Sequence, residues 1–278
     1  MAFIPSRFLD AVVAIGTEDS VGRRWIGTGF LYSRRSERAG ERSGHAFLIS
    51  ARHVLEGRRS IILRLNSLSD DTSTDFEVPL VARNGRSQWI GHPDPTVDVG
   101  ALEINYGLLK KHDRRLYLLR SDSDFVERSG LLAEGIAEGH GVFVLGFPMA
   151  IVGDKRQYVI CRSGAVARIR DMLAGENEFL IDASVFPGNS GGPVILKPAS
   201  DAAEDQARVI GIVKSYLPYE DVAKSTQTRM ERIRFQENSG LASAYPTDLI
   251  RETVDLACRR IAQRRSAHRA RARRAAAG

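Results

Sequence analysis

The sequence predicts an all-β sandwich or barrel fold. Apolar runs of about four to seven residues, rich in valine, isoleucine and phenylalanine, recur along the chain and are typical of short strands. Polar and glycine-containing turns separate these runs, and no alternation of helices with strands suggests a parallel sheet. With 278 residues and a hydrophobic fraction of 43%, the chain can form one large domain or two small, tightly packed ones.

Three polar stretches interrupt the predicted strands, at residues 33–44, 67–75 and 218–239, and we interpret them as surface loops. The last is long and charged, and we expect a short helix in it over residues 227–233. A terminal helix is predicted to start near Pro246. Its apolar positions repeat at helical spacing and should dock on the body of the protein: Ile250, Val254, Ala257 and Ile261.

The net charge of +6 comes from the end of the chain. Residues 259–278 hold eight arginines and no acid, which leaves 32 basic and 34 acidic residues elsewhere, a net charge of −2. The body therefore has no charge bias toward nucleic acid. The tail is interpreted as a solvated helical or disordered end; the alternative is contact with nucleic acid, an acidic protein or an anionic surface.

The sequence lacks the signals of several other function classes. No stretch is apolar enough to span a membrane, and residues 1–20 lack the pattern of a secretion signal, so we expect a cytoplasmic protein. Cys161 and Cys258 form no metal-ligand spacing, and we expect free thiols; the alternative is a disulfide between them. We find no phosphate-binding loop, dinucleotide fingerprint or metal cluster, and we therefore expect neither a cofactor nor a metal.

The strongest local signal is a glycine-rich turn around Ser190, which runs Gly188-Asn189-Ser190-Gly191-Gly192. Serine is a weak nucleophile that needs exposure to a base, and flanking glycines permit the backbone angles of a tight turn. The N–H groups of Gly188 and Ser190 could then bind an oxyanion. The alternative is an ordinary glycine-rich β-turn.

A base and an orienting acid are also present. His53 follows the apolar run 46–49 where the chain turns, and Asp98 lies between two valines, where burial requires a partner such as a histidine N–H. Asp94 is the alternative acid, and Asp98 could instead be a turn cap. Five histidines lie in less suitable surroundings: His45, His92, His112, His140 and His268.

The order histidine, aspartate, serine resembles that of the trypsin-like peptidases, and within them the bacterial HtrA/Deg branch. The similar motifs run from about residue 10 to 255: Gly27-Thr28-Gly29-Phe30, residues 48–54, residues 98–102, Val144-Leu145-Gly146-Phe147-Pro148, residues 182–193, residues 238–242 and Tyr245-Pro246. The resemblance implies two six-stranded antiparallel β-barrels with a C-terminal helix. The peptidase domain would cover residues 1–258, with barrel one at about 10–118, barrel two at about 138–246 and the helix from about 247.

The resemblance also implies a substrate pocket. Its walls would be Ser184, Val185 and Phe186 before the serine, and Lys214 and Tyr216 on the facing strand. Because the wall before the serine holds no acid, we expect a small or medium uncharged P1 residue.

Two departures from the family concern regulation. Asn189 stands where zymogen-type trypsins have an aspartate that pairs with a new N-terminus, so we expect activation by loop ordering and not by N-terminal cleavage. The family's HtrA branch carries a PDZ domain, and we expect none here, because too little of this sequence follows residue 258.

The sequence thus predicts a serine endopeptidase that acts on protein or peptide substrates through His53, Asp98 and Ser190. The alternative is a latent or partner-gated module of the same fold, with an activating partner protein and residues 219–239 as the gate.

Overall fold

The computed structural model describes residues 4–34, 44–111, 114–198 and 206–275, and its regular structure is mostly β. The helices are α1 (Ser6–Ala11), α2 (Arg52–Leu55), α3 (Tyr106–Lys111), α4 (Arg128–Ala133), α5 (Arg170–Leu173) and α6 (Thr247–Ala275). The strands are β1 (Val12–Asp19), β2 (Gly22–Arg34), β3 (His45–Ala51), β4 (Ser60–Asn66), β5 (Ser73–Pro79), β6 (Trp89–Gly91), β7 (Val99–Glu103), β8 (Leu119–Arg120), β9 (Gly141–Gly146), β10 (Ile160–Arg168), β11 (Phe179–Asp182), β12 (Pro193–Leu196), β13 (Arg208–Lys224) and β14 (Glu231–Pro246).

The first half of the chain forms an eight-stranded sheet. Its strands follow the order β5-β4-β1-β2-β3-β7-β6, and β8 adds to β2 as a parallel strand. A buried cluster lines this sheet, with Ile15, Leu31, Leu48 and Leu63 among its members. The predicted loop at residues 67–75 is shorter than expected, because β5 begins at Ser73. Of the loop predicted at 33–44, residues 35–43 lie outside the described chain.

The second half is a closed antiparallel barrel of six strands, in the order β10-β11-β14-β13-β12-β9. Its interior is filled by apolar side chains such as Val144, Phe179 and Ile210. The all-β class, this six-stranded barrel and the C-terminal helix are confirmed. A third buried cluster contains residues of both halves and of α6, so the two halves share one continuous interface.

The stretch 218–239 is a β-hairpin, and the predictions of a loop there and of a helix at 227–233 are wrong. β13 and β14 stay paired well beyond the barrel, from Pro218 opposite Asn238 to Lys224 opposite Glu231. Side chains on both faces of this extension are exposed, and we call residues 218–238 the hairpin arm. Because neither face of the arm is buried, its composition is polar, and a polar composition is typical of a loop.

Helix α6 begins at Thr247, directly after β14, and its predicted apolar face is confirmed. Ile250, Val254, Ala257 and Ile261 are all buried against the body. Beyond Ile261 the helix continues to Ala275, and its described side chains are exposed from residue 262 onward. None of the helices in the described ranges has the length and apolar content needed to cross a membrane.

Candidate active site

His53 and Asp98 lie together because they flank the paired ends of two antiparallel strands of the first sheet. β3 ends at Ala51, which pairs with Val99 at the start of β7. His53 follows β3 on the single-turn helix α2, and Asp98 directly precedes β7. The N–H of Arg52 donates to the carbonyl oxygen of Asp98 at 3.2 Å and closes this corner.

The Asp98 carboxylate holds His53 at two points. One oxygen lies 2.6 Å from Nδ1 of the imidazole, and the other accepts the backbone N–H of His53 at 2.8 Å. A carboxylate can only accept, so Nδ1 carries the proton and a neutral imidazole keeps Nε2 as an acceptor. The His53 side chain is 54% exposed and that of Asp98 only 22%, so the acceptor nitrogen is accessible while its support is sheltered.

The other candidates contact different groups. The Asp94 carboxylate accepts the hydroxyl and the N–H of Thr96 at 2.7 and 2.8 Å, and these bonds lower the pKa of Asp94. The structure thus brings Asp98, and not Asp94, to His53. The imidazole nitrogens of three other histidines have different partners: His45 contacts Glu103, His92 contacts Glu252 and His140 contacts the Ala137 carbonyl oxygen. His112 and the side chain of His268 lie outside the described part of the chain.

Ser190 lies on a tight turn, residues 187–192, which we call the serine turn. Gly188 and Gly191 have φ of +99° and +85°, values that favour glycine. A side chain on Gly188 would collide with the carbonyl oxygen of Phe147, and one on Gly191 would come within 2.7 Å of the Ala51 nitrogen. The turn therefore packs directly on the end of β3, next to the helix that holds the histidine.

Backbone hydrogen bonds fix the serine turn between the two halves. From the first half, the N–H of Thr28 in β2 donates to the Ser190 carbonyl oxygen at 3.1 Å. From the second half, Gly191 N–H donates to Val213 O at 3.0 Å, and Val213 N–H donates to Gly192 O at 2.8 Å. The position of Ser190 consequently depends on β2 and β13 together.

Two N–H groups of the serine turn, those of Gly188 and Ser190, donate to no acceptor among the described residues. The carbonyl group before Gly188, that of Pro187, accepts the N–H of Met149 at 2.6 Å. The carbonyl group before Ser190 accepts an N–H of the serine turn itself at 2.9 Å. Because N–H and C=O of a trans peptide point in opposite directions, both N–H groups face away from these partners. They are available to an oxygen atom of a ligand.

The Ser190 hydroxyl donates to the main-chain carbonyl oxygen of Lys214 at 3.2 Å. Between these described residues, no hydrogen bond joins the hydroxyl to the His53 imidazole. Lys214 is the extra residue of a β-bulge in β13, since Val213 pairs with Ala244 and Ser215 with Ser243. A bulge changes the direction of the backbone locally, and here it presents the Lys214 carbonyl group to the serine.

The Lys214 side chain is held on the second barrel. Its Nζ lies 2.6 Å from a Glu178 carboxylate oxygen and 5.3 Å from the centre of the Tyr245 ring. Burial acts to lower the pKa of Lys214, but the bonds to Glu178 and Tyr245 outweigh it, so the pKa of this lysine is raised and its charge is retained.

The other predicted pocket residues have different surroundings. Ser184 is exposed, and Val185 is buried in the core of the second barrel. Phe186 is partly buried, and the Arg162 guanidinium lies 5.2 Å from the centre of its ring. Tyr216 is partly buried against the same core. The position of Arg162 was not predictable from the sequence, because a contact between β10 and the segment before the serine depends on the closed barrel.

Sequence reasoning also missed two supporting hydroxyl groups. Thr28 Oγ1 donates to Gly188 O at 2.6 Å and accepts the N–H of Phe147 at 3.1 Å, so it ties the serine turn to β9. The Tyr245 hydroxyl donates to Thr96 O at 3.2 Å, close to Asp98. Both residues lie in motifs that we noted only for their resemblance to strands of the family.

The described residues include no group of three or more histidine, cysteine, aspartate and glutamate side chains placed to hold a metal ion. Cys161 and Cys258, both within the described ranges, are not joined by a disulfide bond.

The fold and the site define a protein of the trypsin-like class. The model of the trypsin-like peptidase domain family matches residues 27–200, which include His53, Asp98 and Ser190, and the chain belongs to this family. A comparison with curated protein sequences gives no match.

Solved structures with a similar fold include HtrA-type proteases. The protease AlgW with a bound tripeptide is 20% identical, with a TM-score of 0.51 over 90% of this chain and 60% of that one. The chain thus spans about 60% of the length of this relative. The MamO protease domain of Magnetospirillum magneticum is 14% identical (88% of this chain, 95% of that one, TM-score 0.47). An inactive form of Rv3671c from M. tuberculosis H37Rv is 16% identical (90% and 88%, TM-score 0.48).

Proposed function

We propose that this protein is a serine endopeptidase with Ser190 as nucleophile, His53 as general base and Asp98 as the acid that orients the imidazole. The observation that carries the proposal is the double contact of the Asp98 carboxylate with His53, which makes Nδ1 the donor and leaves Nε2 as the acceptor nitrogen of a neutral imidazole. Membership of the trypsin-like peptidase family supports the reaction class.

The chemistry is acyl transfer. Ser190 Oγ attacks a peptide carbonyl carbon as His53 Nε2 takes the hydroxyl proton, and Asp98 stabilises the imidazolium that forms. The N–H groups of Gly188 and Ser190 bind the negative oxygen, each contributing about 3–4 kcal/mol to transition-state stabilisation. The imidazolium returns the proton to the leaving amine, and water then hydrolyses the acyl-enzyme by the same route.

The test is covalent labelling with a fluorescent fluorophosphonate probe, which reacts only with an activated serine. We expect the wild-type protein to be labelled, and neither Ser190→Ala nor His53→Ala. Circular dichroism of all three proteins is the control for folding. Equal labelling of the wild type and Ser190→Ala would place the reactive group elsewhere and overturn the assignment.

A second proposal is that the resting site is latent and that loop ordering, assisted by a partner protein, activates it. The Ser190 hydroxyl is bonded to the Lys214 carbonyl group, so the serine must rotate before it meets the base. Asn189 is fully buried, and its Oδ1 accepts the Phe186 N–H at 3.1 Å. An uncharged amide in this position cannot form an ion pair with a new N-terminus, which argues against activation by N-terminal cleavage.

The hairpin arm is the gate in this proposal, because it extends from β13, the strand that carries Lys214 and Tyr216. Replacing residues 219–237 by a two-residue turn tests it, with probe labelling as the measurement. A gate predicts faster labelling of the shortened protein at unchanged melting temperature, since the arm is exposed on both faces. Labelling at the wild-type rate would eliminate the arm as a gate.

We also propose that the substrate is a protein or peptide with a small or medium uncharged P1 residue. The segment before the serine turn, Ser184, Val185 and Phe186, holds no acid, and Lys214 already has its own carboxylate partner in Glu178. Peptide libraries that vary only P1 should be cleaved best after such residues. Preferred cleavage after arginine would contradict this pocket.

A contact of the basic end of α6 with nucleic acid or another polyanion is a separate proposal. The helix runs past Ile261, the last buried residue among its described side chains, and no acid occurs from residue 259 onward. We expect weak, salt-dependent binding to a DNA duplex of arbitrary sequence. Removing residues 262–278 should abolish it, and binding that persists after this deletion would refute the role.

A further inference from the structure

The Tyr245 hydroxyl is placed at the backbone of Asp98. Tyr245 belongs to β14 of the second barrel and is 1% exposed, yet its hydroxyl reaches across the interface and donates to Thr96 O at 3.2 Å. Burial raises the pKa of Tyr245, and a hydrogen bond with the Asp98 backbone opposes this rise. The phenol therefore binds the short segment that carries the Asp98 carboxylate.

The Lys214 side chain is placed beside this phenol. Its ammonium lies 5.3 Å from the centre of the Tyr245 ring, within the range of a cation–π contact. The main chain of the same residue supplies the carbonyl oxygen that accepts the Ser190 hydroxyl. Lys214 is thus linked through its side chain to the support of Asp98 and through its backbone to Ser190.

Glu178 fixes the lysine from the other side. One carboxylate oxygen binds Lys214 Nζ at 2.6 Å, and the other accepts the hydroxyl of Ser243, which is 4% exposed. Ser243 lies two residues before Tyr245 in β14, so carboxylate, ammonium and phenol are all attached to one wall of the closed barrel. With both oxygens engaged, the carboxylate has little freedom to release the ammonium.

We propose that Glu178, Lys214 and Tyr245 form a positioning network that holds the Asp98 segment of the first sheet in place relative to the second barrel. None of the three side chains touches the reacting atoms. They act on Asp98, and through it on the orientation of the His53 imidazole. The catalytic part of this inference rests on the proposed peptidase function, whereas the placement of Asp98 does not.

Tyr245→Phe removes only the hydroxyl group and is the sharpest test. Two measurements apply: the first-order rate and the half-saturation concentration of fluorophosphonate labelling, and the exchange rate of the His53 amide proton by NMR. That amide donates to the Asp98 carboxylate, so its exchange reports the position of Asp98 whether or not the protein is catalytic. We expect labelling to slow by about tenfold to a hundredfold with half-saturation unchanged, and His53 exchange to accelerate by about tenfold.

Tyr32→Phe is the matched control. Tyr32 is also buried, at 2% exposure, and its hydroxyl is hydrogen-bonded to Ser121 away from the site. This variant should leave both measurements unchanged. Lys214→Met should reproduce the Tyr245→Phe effects in weaker form, and Lys214→Arg should restore most of the labelling rate, because it keeps the charge that Glu178 binds.

The outcomes separate the two proposals. Faster His53 exchange in Tyr245→Phe, together with no labelling of the wild type, would support the positioning network and would mean that the resting site is latent or inactive. Wild-type exchange at His53 in both Tyr245→Phe and Lys214→Met would overturn the network, whatever the labelling shows. If Tyr32→Phe changed both measurements as much as Tyr245→Phe does, the effect of Tyr245 would be one of general stability. This result would also overturn the positioning network.

Discussion

The Ser190 hydroxyl donates to the Lys214 carbonyl oxygen at 3.2 Å, and its neighbour His53 is held separately by Asp98. In the proposed triad, base and acid are therefore assembled while the nucleophile is bonded to a different strand. Rotation of a partly exposed serine side chain takes picoseconds to nanoseconds, so this arrangement alone is a small barrier to reaction. A slow step would require movement of β13 itself, at the bulge that carries Lys214.

Asp98→Asn should lower the rate of labelling or peptide hydrolysis by about 10⁴-fold with little change in stability. An amide at this position offers an N–H to the imidazole, which favours the tautomer in which Nε2 is protonated and cannot act as a base. Asp94→Asn is the control, because Asp94 caps the turn at Thr96 and should leave the rate near that of the wild type. Equal losses in the two variants would contradict the assigned roles.

Gly188→Ala should reduce activity by about 10²- to 10³-fold, the effect of losing one oxyanion-binding donor. Its φ of +99° and the nearby Phe147 carbonyl oxygen force the serine turn to shift when a Cβ is added. Gly175→Ala carries comparable backbone strain at φ +128° but meets no atom within 4 Å. It should cost about 1–2 kcal/mol of stability and leave activity intact. Melting temperature and labelling rate, measured on both variants, separate strain from catalysis.

Thr28→Val should reduce both stability and activity. The valine leaves Gly188 O and Phe147 N without the hydroxyl that now joins them, at a cost of about 1–3 kcal/mol. Thr253→Val also removes a buried hydroxyl, which donates to Leu249 O at 2.7 Å within α6. It should lower the melting temperature and preserve the labelling rate. Full activity of folded Thr28→Val would show that the serine turn does not need this bridge.

Asp75→Asn should make the free energy of unfolding less dependent on pH in the acid range. The Asp75 carboxylate binds Arg64 through two bonds of 2.7 and 2.8 Å and also pairs with Arg23. Burial acts to raise the pKa of Asp75, but these guanidinium groups outweigh it and lower the pKa below its ordinary value of 3.8. A lowered pKa in the folded state means that the stabilisation is present above the ordinary value and is lost as the pH falls through the folded-state pKa.

Chemical denaturation of both proteins across pH measures this effect. We expect the wild type to be more stable by about 1–3 kcal/mol at neutral pH, with the difference closing below pH 3.8. Asp71→Asn is the control, since the Asp71 side chain is 74% exposed and its pair with Arg156 should contribute little. A constant difference at every pH would rule out the ion pair as its source.

The sequence predicts those parts of the fold and site that depend on short segments. Ser190 with its glycines, His53 after an apolar run and Asp98 between valines are each recognisable within a few residues. The hairpin arm was misjudged because a ribbon exposed on both faces lacks the alternation of apolar and polar residues that marks a half-buried strand. The contact of Lys214 with Glu178 was not predictable, since it depends on barrel closure and on a bulge that no residue type requires.

The dependence of Ser190 on Thr28 and Val213, and the position of Tyr245 late in the chain, have a consequence for biosynthesis. The histidine and the aspartate emerge from the ribosome with the first sheet, but the nucleophile acquires its geometry only after β13 has been made and folded onto β2. Tyr245, the proposed support of the aspartate, follows all three residues in the chain. If the protein is the proposed peptidase, a nascent chain that has emerged only as far as the first sheet would hold the base without a competent nucleophile, and proteolytic capacity would begin only once β13 has folded onto β2.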